Sequence, residues 1–147
     1  MPRFVVSACL AGIPCRYDGK AKANANIVQL VQSQKALPLC PEMLAGLGVP
    51  RHCSERLGEQ IRTEYGEDIT ERFRRGAENA LTRAQMAGCT IAILKQRSPS
   101  CGAGQIYDGT FTGTIIPGDG IWTELLREAG FTIFTEEDLP LSLEIFR

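Results

Sequence analysis

Three short apolar segments of this chain each run into a cysteine, and this repeated arrangement constrains the fold more than any other feature. Residues 4–6 lead to Cys9, residues 36–39 lead to Cys40, and residues 90–94 lead to the turn that contains Cys101. Apolar runs of this length, bounded by turn residues, are typical of buried strands. Because open α/β sheets bind ligands beyond the carboxyl ends of their strands, we expect the three cysteines to converge on one site.

The turn that follows the third segment is the sharpest of the three. It reads Ser98-Pro99-Ser100-Cys101-Gly102. A central strand does not continue through this turn, because Pro99 has no amide hydrogen to donate and glycine favours turns. We therefore expect Cys101 to lie just beyond the end of a buried strand.

Helical patterns alternate with the strands. The predicted helices are one capped by Asn24 or Asn26, a long one that starts at Asp68 or Thr70, and one over 121–129 that is ended by Gly130. A last strand is predicted over 131–134. This alternation predicts an α/β fold with three α/β/α layers and a mostly parallel, Rossmann-like sheet.

Three stretches lack the regular spacing of apolar residues that predicts a helix or a strand. Residues 43–62 contain several glycines and Pro50, so we expect a loop-rich excursion that forms part of a pocket wall. Residues 106–113 are interrupted by glycines, which predicts a hairpin or an extended loop. Residues 138–147 are expected to form a short tail.

Charge and hydropathy disfavour several classes of protein. The chain has 147 residues, with 16 Lys and Arg against 17 Asp and Glu and a net charge of −1, which disfavours a nucleic-acid surface. No apolar run approaches the roughly 20 residues that span a bilayer, and the N-terminus lacks the apolar core of a signal peptide. We expect one domain over 1–147, in the cytoplasm, with no membrane or nucleic-acid partner. No pattern specifies an oligomeric state.

The cysteines are candidates for metal binding rather than for disulfides. The chain has six of them, and the cytoplasm keeps thiols reduced. No Cys-x-x-Cys pair occurs, which disfavours structural zinc. Thiolates at Cys9, Cys40 and Cys101, if brought together by the fold, are able to hold an iron–sulfur cluster with one iron free of a protein ligand. Free cysteines are also common as small core residues; this alternative stays open for the three, and it is our prediction for Cys89.

Polar residues beside these cysteines are suited to acid–base chemistry. Glu42 follows Cys40 across a proline, and Ser98 precedes Cys101 by three positions. A carboxylate in a partly desolvated pocket suits general acid or base catalysis, whereas a surface glutamate and a turn-stabilising serine are the alternatives. The candidates for substrate contact are Arg16, Asp18, Lys95, Arg97, Ser100 and Tyr107. The lone His52 is as consistent with a surface position as with catalysis.

Several motifs, in this order over nearly the whole chain, resemble those of the thiouracil desulfidase family. They are Ser7-Ala8-Cys9-Leu10-Ala11-Gly12 with Cys15-Arg16-Tyr17-Asp18-Gly19, then Cys40-Pro41-Glu42, then Ser98-Pro99-Ser100-Cys101-Gly102, and Ile106-Tyr107-Asp108-Gly109-Thr110-Phe111.

The resemblance implies a cytoplasmic enzyme with an oxygen-sensitive 4Fe-4S cluster. By motif position the cluster ligands are Cys9, Cys40 and Cys101, and the catalytic residues are Glu42 and Ser98. The implied reaction removes sulfur from thiolated uracil compounds, such as 2-thiouracil or 4-thiouridine nucleotides, without a net redox change. It is a carbon–sulfur cleavage of the hydrolase or lyase type. The implied partner is thus a small thiolated pyrimidine base or nucleotide.

The chain departs from the family's pattern near the expected pocket wall. Ala45-Gly46 stands where a glycine pair is expected, and His52-Cys53-Ser54 stands where a proline-rich run is expected. The resemblance leaves open whether Cys15 or Cys53 takes part in the cluster. An iron–sulfur or zinc-binding sensor or structural protein, without substrate turnover, is the alternative function.

Overall fold

A parallel sheet lies at the centre of the structure, a computed structural model that describes residues 2–139. In chain order its elements are β1 (Phe4–Ser7), α1 (Ala25–Gln32), β2 (Ala36–Leu39), α2 (Pro41–Leu44), β3 (Ser54–Leu57), β4 (Gln60–Thr63), α3 (Thr70–Met86), β5 (Ile91–Leu94), β6 (Ala103–Tyr107), β7 (Ile115–Asp119), α4 (Ile121–Glu128) and β8 (Thr132–Thr135). Short 3-10 turns cover Ala8–Ala11 and Glu136–Asp138.

The central sheet has the strand order β2-β1-β5-β8, and all of its strand pairs are parallel. The chain leaves β1 toward one edge of the sheet to form β2, and then returns past β1 to form β5 and β8 on the other side. The direction of the crossovers therefore reverses between β1 and β5. Such a reversal opens a crevice at the carboxyl ends of the two strands, and we call this place the switch point.

Helices cover both faces of the sheet, which confirms the predicted α/β fold. On one face, Val5 and Leu94 pack with α3 and α4, and on the other Val6 and Ile93 pack with α1. The strands are buried on both faces because successive side chains of a strand point to opposite sides. This explains why the sequence shows continuous apolar runs rather than an alternating pattern.

The helix boundaries follow local chemistry that the sequence displays. The side chain of Asn24 accepts hydrogen bonds from the amides of Asn26 and Ile27, and so caps α1. Helix α3 presents Gly76 and three alanines to its neighbours. A Cβ at Gly76 would lie 2.1 Å from the Pro41 carbonyl oxygen, so the glycine permits α2 to pack directly on α3.

The region 43–62 is more regular than the sequence predicts. It contains the end of α2 and an antiparallel hairpin formed by β3 and β4. The pattern is obscured because β3 buries two charged residues, Glu55 and Arg56. Glu55 accepts hydrogen bonds from the Gly109 and Phe111 amides at 3.0 and 3.1 Å, and Arg56 pairs with Glu124 at 2.7 Å. These contacts compensate for the burial of the two charges. Because the strand's buried residues are charged, the spacing of apolar residues does not predict it.

The other glycine-rich stretch, 106–113, for which a hairpin or an extended loop was predicted, holds the end of β6 and most of the loop of a hairpin. Strands β6 and β7 are antiparallel, and residues 108–114 connect them. Within the described residues no helix is both long and apolar enough to cross a membrane. Residues 140–147 of the expected tail lie outside the described part of the chain.

Candidate active site

A pocket lies at the switch point, as the strand-end arrangement predicts. Its walls include the ends of β1, β2 and β5 and the loops that follow them. The Lys95 amide donates a hydrogen bond of 2.9 Å to the Ser7 hydroxyl. This bond joins the carboxyl ends of β1 and β5 and fixes the floor of the pocket.

The loop that contains Cys101 is held by its own serine and by α4. The Ser98 hydroxyl accepts hydrogen bonds from the amides of Ser100 and Cys101 at 3.1 and 3.0 Å. At the start of α4, the amides of Ile121 and Trp122 donate to the carbonyls of Pro99 and Ser100, both at 3.0 Å. Helix α4 thus satisfies its free N-terminal amides with this loop, which fixes the loop's position.

Five cysteines line the pocket. They are the three predicted ones, Cys9, Cys40 and Cys101, together with Cys15 and Cys53. The Cys15 thiol is within hydrogen-bonding reach of both the Cys9 and Cys40 thiols. Cys89 lies elsewhere, buried beneath the first strand against the carbonyls of Pro2 and Phe4, as predicted. All six cysteines are free thiols.

The environment of Cys15, Cys40 and Cys101 raises the pKa of each thiol and so favours its neutral form. Burial raises the pKa of Cys101 to about 12. The hydrogen bond with Cys40 lowers the pKa of Cys15, but the hydrogen bond with Cys9 and burial outweigh it and raise the value to about 11. Hydrogen bonding to Cys15, followed by burial, raises the pKa of Cys40. The pocket therefore concentrates soft sulfur donors whose negative charges, once formed, repel one another.

Glu42 faces this sulfur cluster from the first turn of α2. One carboxylate oxygen, Oε2, accepts a hydrogen bond of 2.7 Å from the Ser100 hydroxyl. The other, Oε1, accepts from Nε and Nη2 of Arg51 at 3.3 and 3.1 Å. The carboxylate is thereby oriented from both sides, at the edge of the thiol pocket.

Comparison with known proteins agrees with this geometry. A family model described as 2-thiouracil desulfurase matches residues 4–138. This chain belongs to the 2-thiouracil desulfurase family. The uncharacterized protein YbbK of Bacillus subtilis (strain 168) is 41% identical to this chain over 146 residues. The alignment covers 92% of this chain and 97% of YbbK.

A solved structure also closely resembles the structure of this chain. It is the 4Fe-4S-dependent thiouracil desulfidase TudS, which is 44% identical and covers 99% of each chain with a TM-score of 0.92. The similarity therefore extends over nearly the whole length of both chains.

The residues of this chain that were predicted to contact the substrate fall into two groups. Arg16, Lys95, Arg97, Ser100 and Tyr107 line the pocket. Asp18 does not: it is exposed, and its carboxylate accepts a hydrogen bond of 3.0 Å from the Lys20 amide within its own turn. The side chain of His52 is 60% exposed and its ring packs against Tyr65 outside this pocket.

Besides Arg51, which pairs with Glu42, two further cationic side chains of the pocket are paired. The Lys95 ammonium lies 3.0 Å from a Glu136 carboxylate oxygen, and Arg97 pairs with Glu137. Both glutamates belong to the 3-10 turn after β8. The adjacent strand β8 therefore supports the loop after β5, and the paired charges lower the net positive field over the pocket.

Arg51 is a pocket residue in contact with Glu42 that the sequence did not reveal. Its side chain is only 9% exposed, and it contacts residues that are 3 to 36 positions away in the chain. A single arginine between Pro50 and His52 shows no spacing pattern that predicts such contacts.

Proposed function

We propose that this protein is a 4Fe-4S-dependent desulfidase that converts thiolated uracil compounds into uracil products and sulfide by hydrolysis. In the overall reaction the thiocarbonyl and one water give a carbonyl and hydrogen sulfide, so no electrons are gained or lost. The observation that carries the proposal is the Glu42 carboxylate, which is fixed by Arg51 and Ser100 at the edge of a pocket lined by Cys9, Cys40 and Cys101.

The donor set fits such a cluster. Thiolate is the preferred cluster ligand. The hydrogen bond with Cys15 and burial raise the pKa of the Cys40 thiol, and burial raises that of Cys101. A bound cationic centre takes the place of their protons and removes the repulsion between thiolates. Cys9, Cys40 and Cys101 would hold the cluster, and an iron without a protein ligand supplies Lewis-acid polarisation of the carbon–sulfur bond.

Glu42 is the proposed general base. Its carboxylate takes a proton from the attacking water, and Arg51 and Ser100 keep it oriented while it does so. Orientation of this kind matters because misplacement of a reacting group by about 1 Å costs about 100-fold in rate.

Ser98 and Ser100 form a hydroxyl relay to this base. The Ser98 and Ser100 oxygens lie 2.9 Å apart, and Ser100 donates to Glu42. Because the Ser98 oxygen already accepts two amides, its own proton is the one to be donated. Ser98 thus orients the Ser100 hydroxyl, and a proton taken up by Glu42 would pass to a ring nitrogen through Ser100, which is the hydroxyl in contact with the carboxylate.

The substrate is a thiolated pyrimidine, as the free base or the nucleotide. Tyr107 and Arg16 line the pocket, and Arg16 stacks over the Tyr17 ring with 6.0 Å between the guanidinium carbon and the ring centroid. A planar aromatic ligand and a phosphate are both suited to such a wall. Both 2-thiouracil and 4-thiouridine nucleotides are therefore candidate substrates, and a thiolate-held cluster is suited to the reducing cytoplasm.

Sulfide release tests the proposal. The protein is reconstituted with iron and sulfide under anaerobic conditions, freed of excess sulfide, and incubated with 2-thiouracil or 4-thiouridine monophosphate. We expect equal amounts of sulfide and desulfurated pyrimidine, and none from protein without iron. Reconstituted protein that turns over neither substrate, or protein that holds only zinc, would contradict the proposal.

A further inference from the structure

Arg51 divides its donors between one carboxylate and two backbone carbonyls. Nε and Nη2 donate to Oε1 of Glu42, while Nη2 also donates to the Cys15 carbonyl and Nη1 to the Gly48 carbonyl, both at 2.8 Å. The Arg51 amide donates to the Tyr17 carbonyl, again at 2.8 Å.

This arrangement connects two walls of the pocket. The carbonyls of Cys15 and Tyr17 belong to the loop after β1, which presents Arg16 to the pocket, and Glu42 belongs to α2 after β2. The Arg51 side chain is 9% exposed and that of Glu42 is 15% exposed. A guanidinium at this depth, with fixed planar geometry, restricts the carboxylate far more than a solvated ion pair does.

Ser100 restricts the same carboxylate from the opposite side. The Ser100 hydroxyl contacts one oxygen, Oε2, while Arg51 contacts the other, Oε1, so the plane and direction of the carboxylate are fixed from both ends. Oε2 is thereby the oxygen on the side of the serine relay and the thiols, and Oε1 is directed toward the loop that contains Gly48. Without the guanidinium, the Ser100 hydrogen bond alone would restrain the carboxylate, which a single contact does not hold in one plane.

We propose that Arg51 is the positioning residue that fixes the Glu42 carboxylate with Oε2 toward the thiol pocket. The inference rests on the proposed function, since it assigns the residue that prepares the base of that reaction. Arg51 acts through Glu42 and through the Cys15 and Gly48 carbonyls, and not by binding the substrate.

Kinetics of two variants test this role. In Arg51→Met, the carboxylate loses its fixed orientation, so we expect kcat to fall about 100-fold with KM within about 3-fold of the wild-type value. Arg51→Lys keeps a charge near Oε1 and is expected to recover at least about 10-fold of that loss. Arg72→Met is the matched control, because Arg72 donates only to the Gly46 carbonyl, at 3.2 Å and in an exposed position, and does not contact Glu42.

Three results would overturn the inference. They are an unchanged kcat in Arg51→Met, a loss that lies in KM alone, or an Arg51→Lys variant that is no better than Arg51→Met. If Arg51→Met does not fold or does not bind iron, Arg51→Lys decides: normal iron content with reduced kcat supports positioning, whereas loss of iron there assigns Arg51 a structural role instead.

A crystal structure of Arg51→Met separates this inference from the proposed function. We expect Glu42 Oε2 to have left the Ser100 hydroxyl, and an unmoved carboxylate would refute positioning whatever the activity. Absence of sulfide release from the wild-type protein would instead contradict the proposed function and leave the structural result to decide on Arg51.

Discussion

At the scale of single residues, the site combines soft sulfur donors with one oriented carboxylate. Replacing Glu42 by Gln keeps the size of the side chain and its contacts with Arg51, but removes the base. We expect Glu42→Gln to retain the iron content and visible absorption of the wild-type protein and to lose at least about 100-fold in kcat. Iron analysis and a sulfide-release assay measure the two effects.

The matched control for this substitution is Glu64→Gln. Glu64 also lies near a basic side chain, the His52 ring, at 3.9 Å, but its own side chain is 44% exposed and it does not line the pocket. Glu64→Gln is expected to have wild-type activity. If Glu42→Gln stays active, the base has been assigned to the wrong residue.

Alanine substitutions of Ser98 and Ser100 are expected to lower the stability of the protein by different amounts. Ser98→Ala leaves the Ser100 and Cys101 amides without an acceptor, so it should lower the free energy of unfolding by about 1–3 kcal/mol. Ser100→Ala removes the contact with Glu42 but no backbone partner, and should lower kcat with a smaller effect on unfolding. Urea unfolding of both variants, with kcat measured in parallel, checks this; equal loss of stability would argue against the difference.

Sequence reasoning locates the cysteines and Glu42 but not their network. Strand-end positions at Cys9, Cys40 and Cys101 are visible because each follows an apolar run. The Ser100–Glu42 bond joins residues 58 positions apart, and the Arg51 contacts depend on the path of a loop. Such contacts are set by tertiary packing, which local patterns do not contain.

At the scale of elements, the packing of α2 on α3 positions the base. Helix α2 has only four residues, so it depends on its neighbour for stability. A Cβ at Gly76 would meet the Pro41 carbonyl oxygen at 2.1 Å and the Ala45 Cβ at 2.8 Å. Alanine at this position must displace α2, and with it Glu42.

We therefore expect Gly76→Ala to lower both stability and turnover, although alanine is otherwise the better helix former. Overpacking of this kind costs about 1–3 kcal/mol. Thermal unfolding and kcat are the measurements, with the exposed Glu78→Ala on the same helix as the control. A Gly76→Ala protein that is more stable than the wild type and fully active would show that α2 tolerates the shift.

The main elements were largely predictable, but the short helix α2, the β3–β4 hairpin and strand β7 were not. The strands of the central sheet, the Asn24 cap and the helix before Gly130 all follow local rules and are confirmed. The β3–β4 hairpin was missed because Glu55 and Arg56 are buried by specific polar partners. A charged strand of this kind has the local pattern of a loop.

At the scale of the whole molecule, the strand order makes the site. Cys9, Cys40 and Cys101 belong to loops far apart in the chain, and they meet because β2, β1 and β5 are adjacent and parallel. The reversal of the crossovers between β1 and β5 leaves the crevice in which they meet. The same topology places Glu42 directly after Cys40, beside that crevice.

Transfer of oxygen from water tests the central claim most directly. Reconstituted protein is incubated anaerobically with a thiolated uracil substrate in water enriched in ¹⁸O, and the product is analysed by mass spectrometry, with unlabelled uracil in the same water as the exchange control. The account predicts one ¹⁸O atom in each product molecule and one sulfide released for each. Product without the label, or sulfide without a desulfurated pyrimidine, would contradict it.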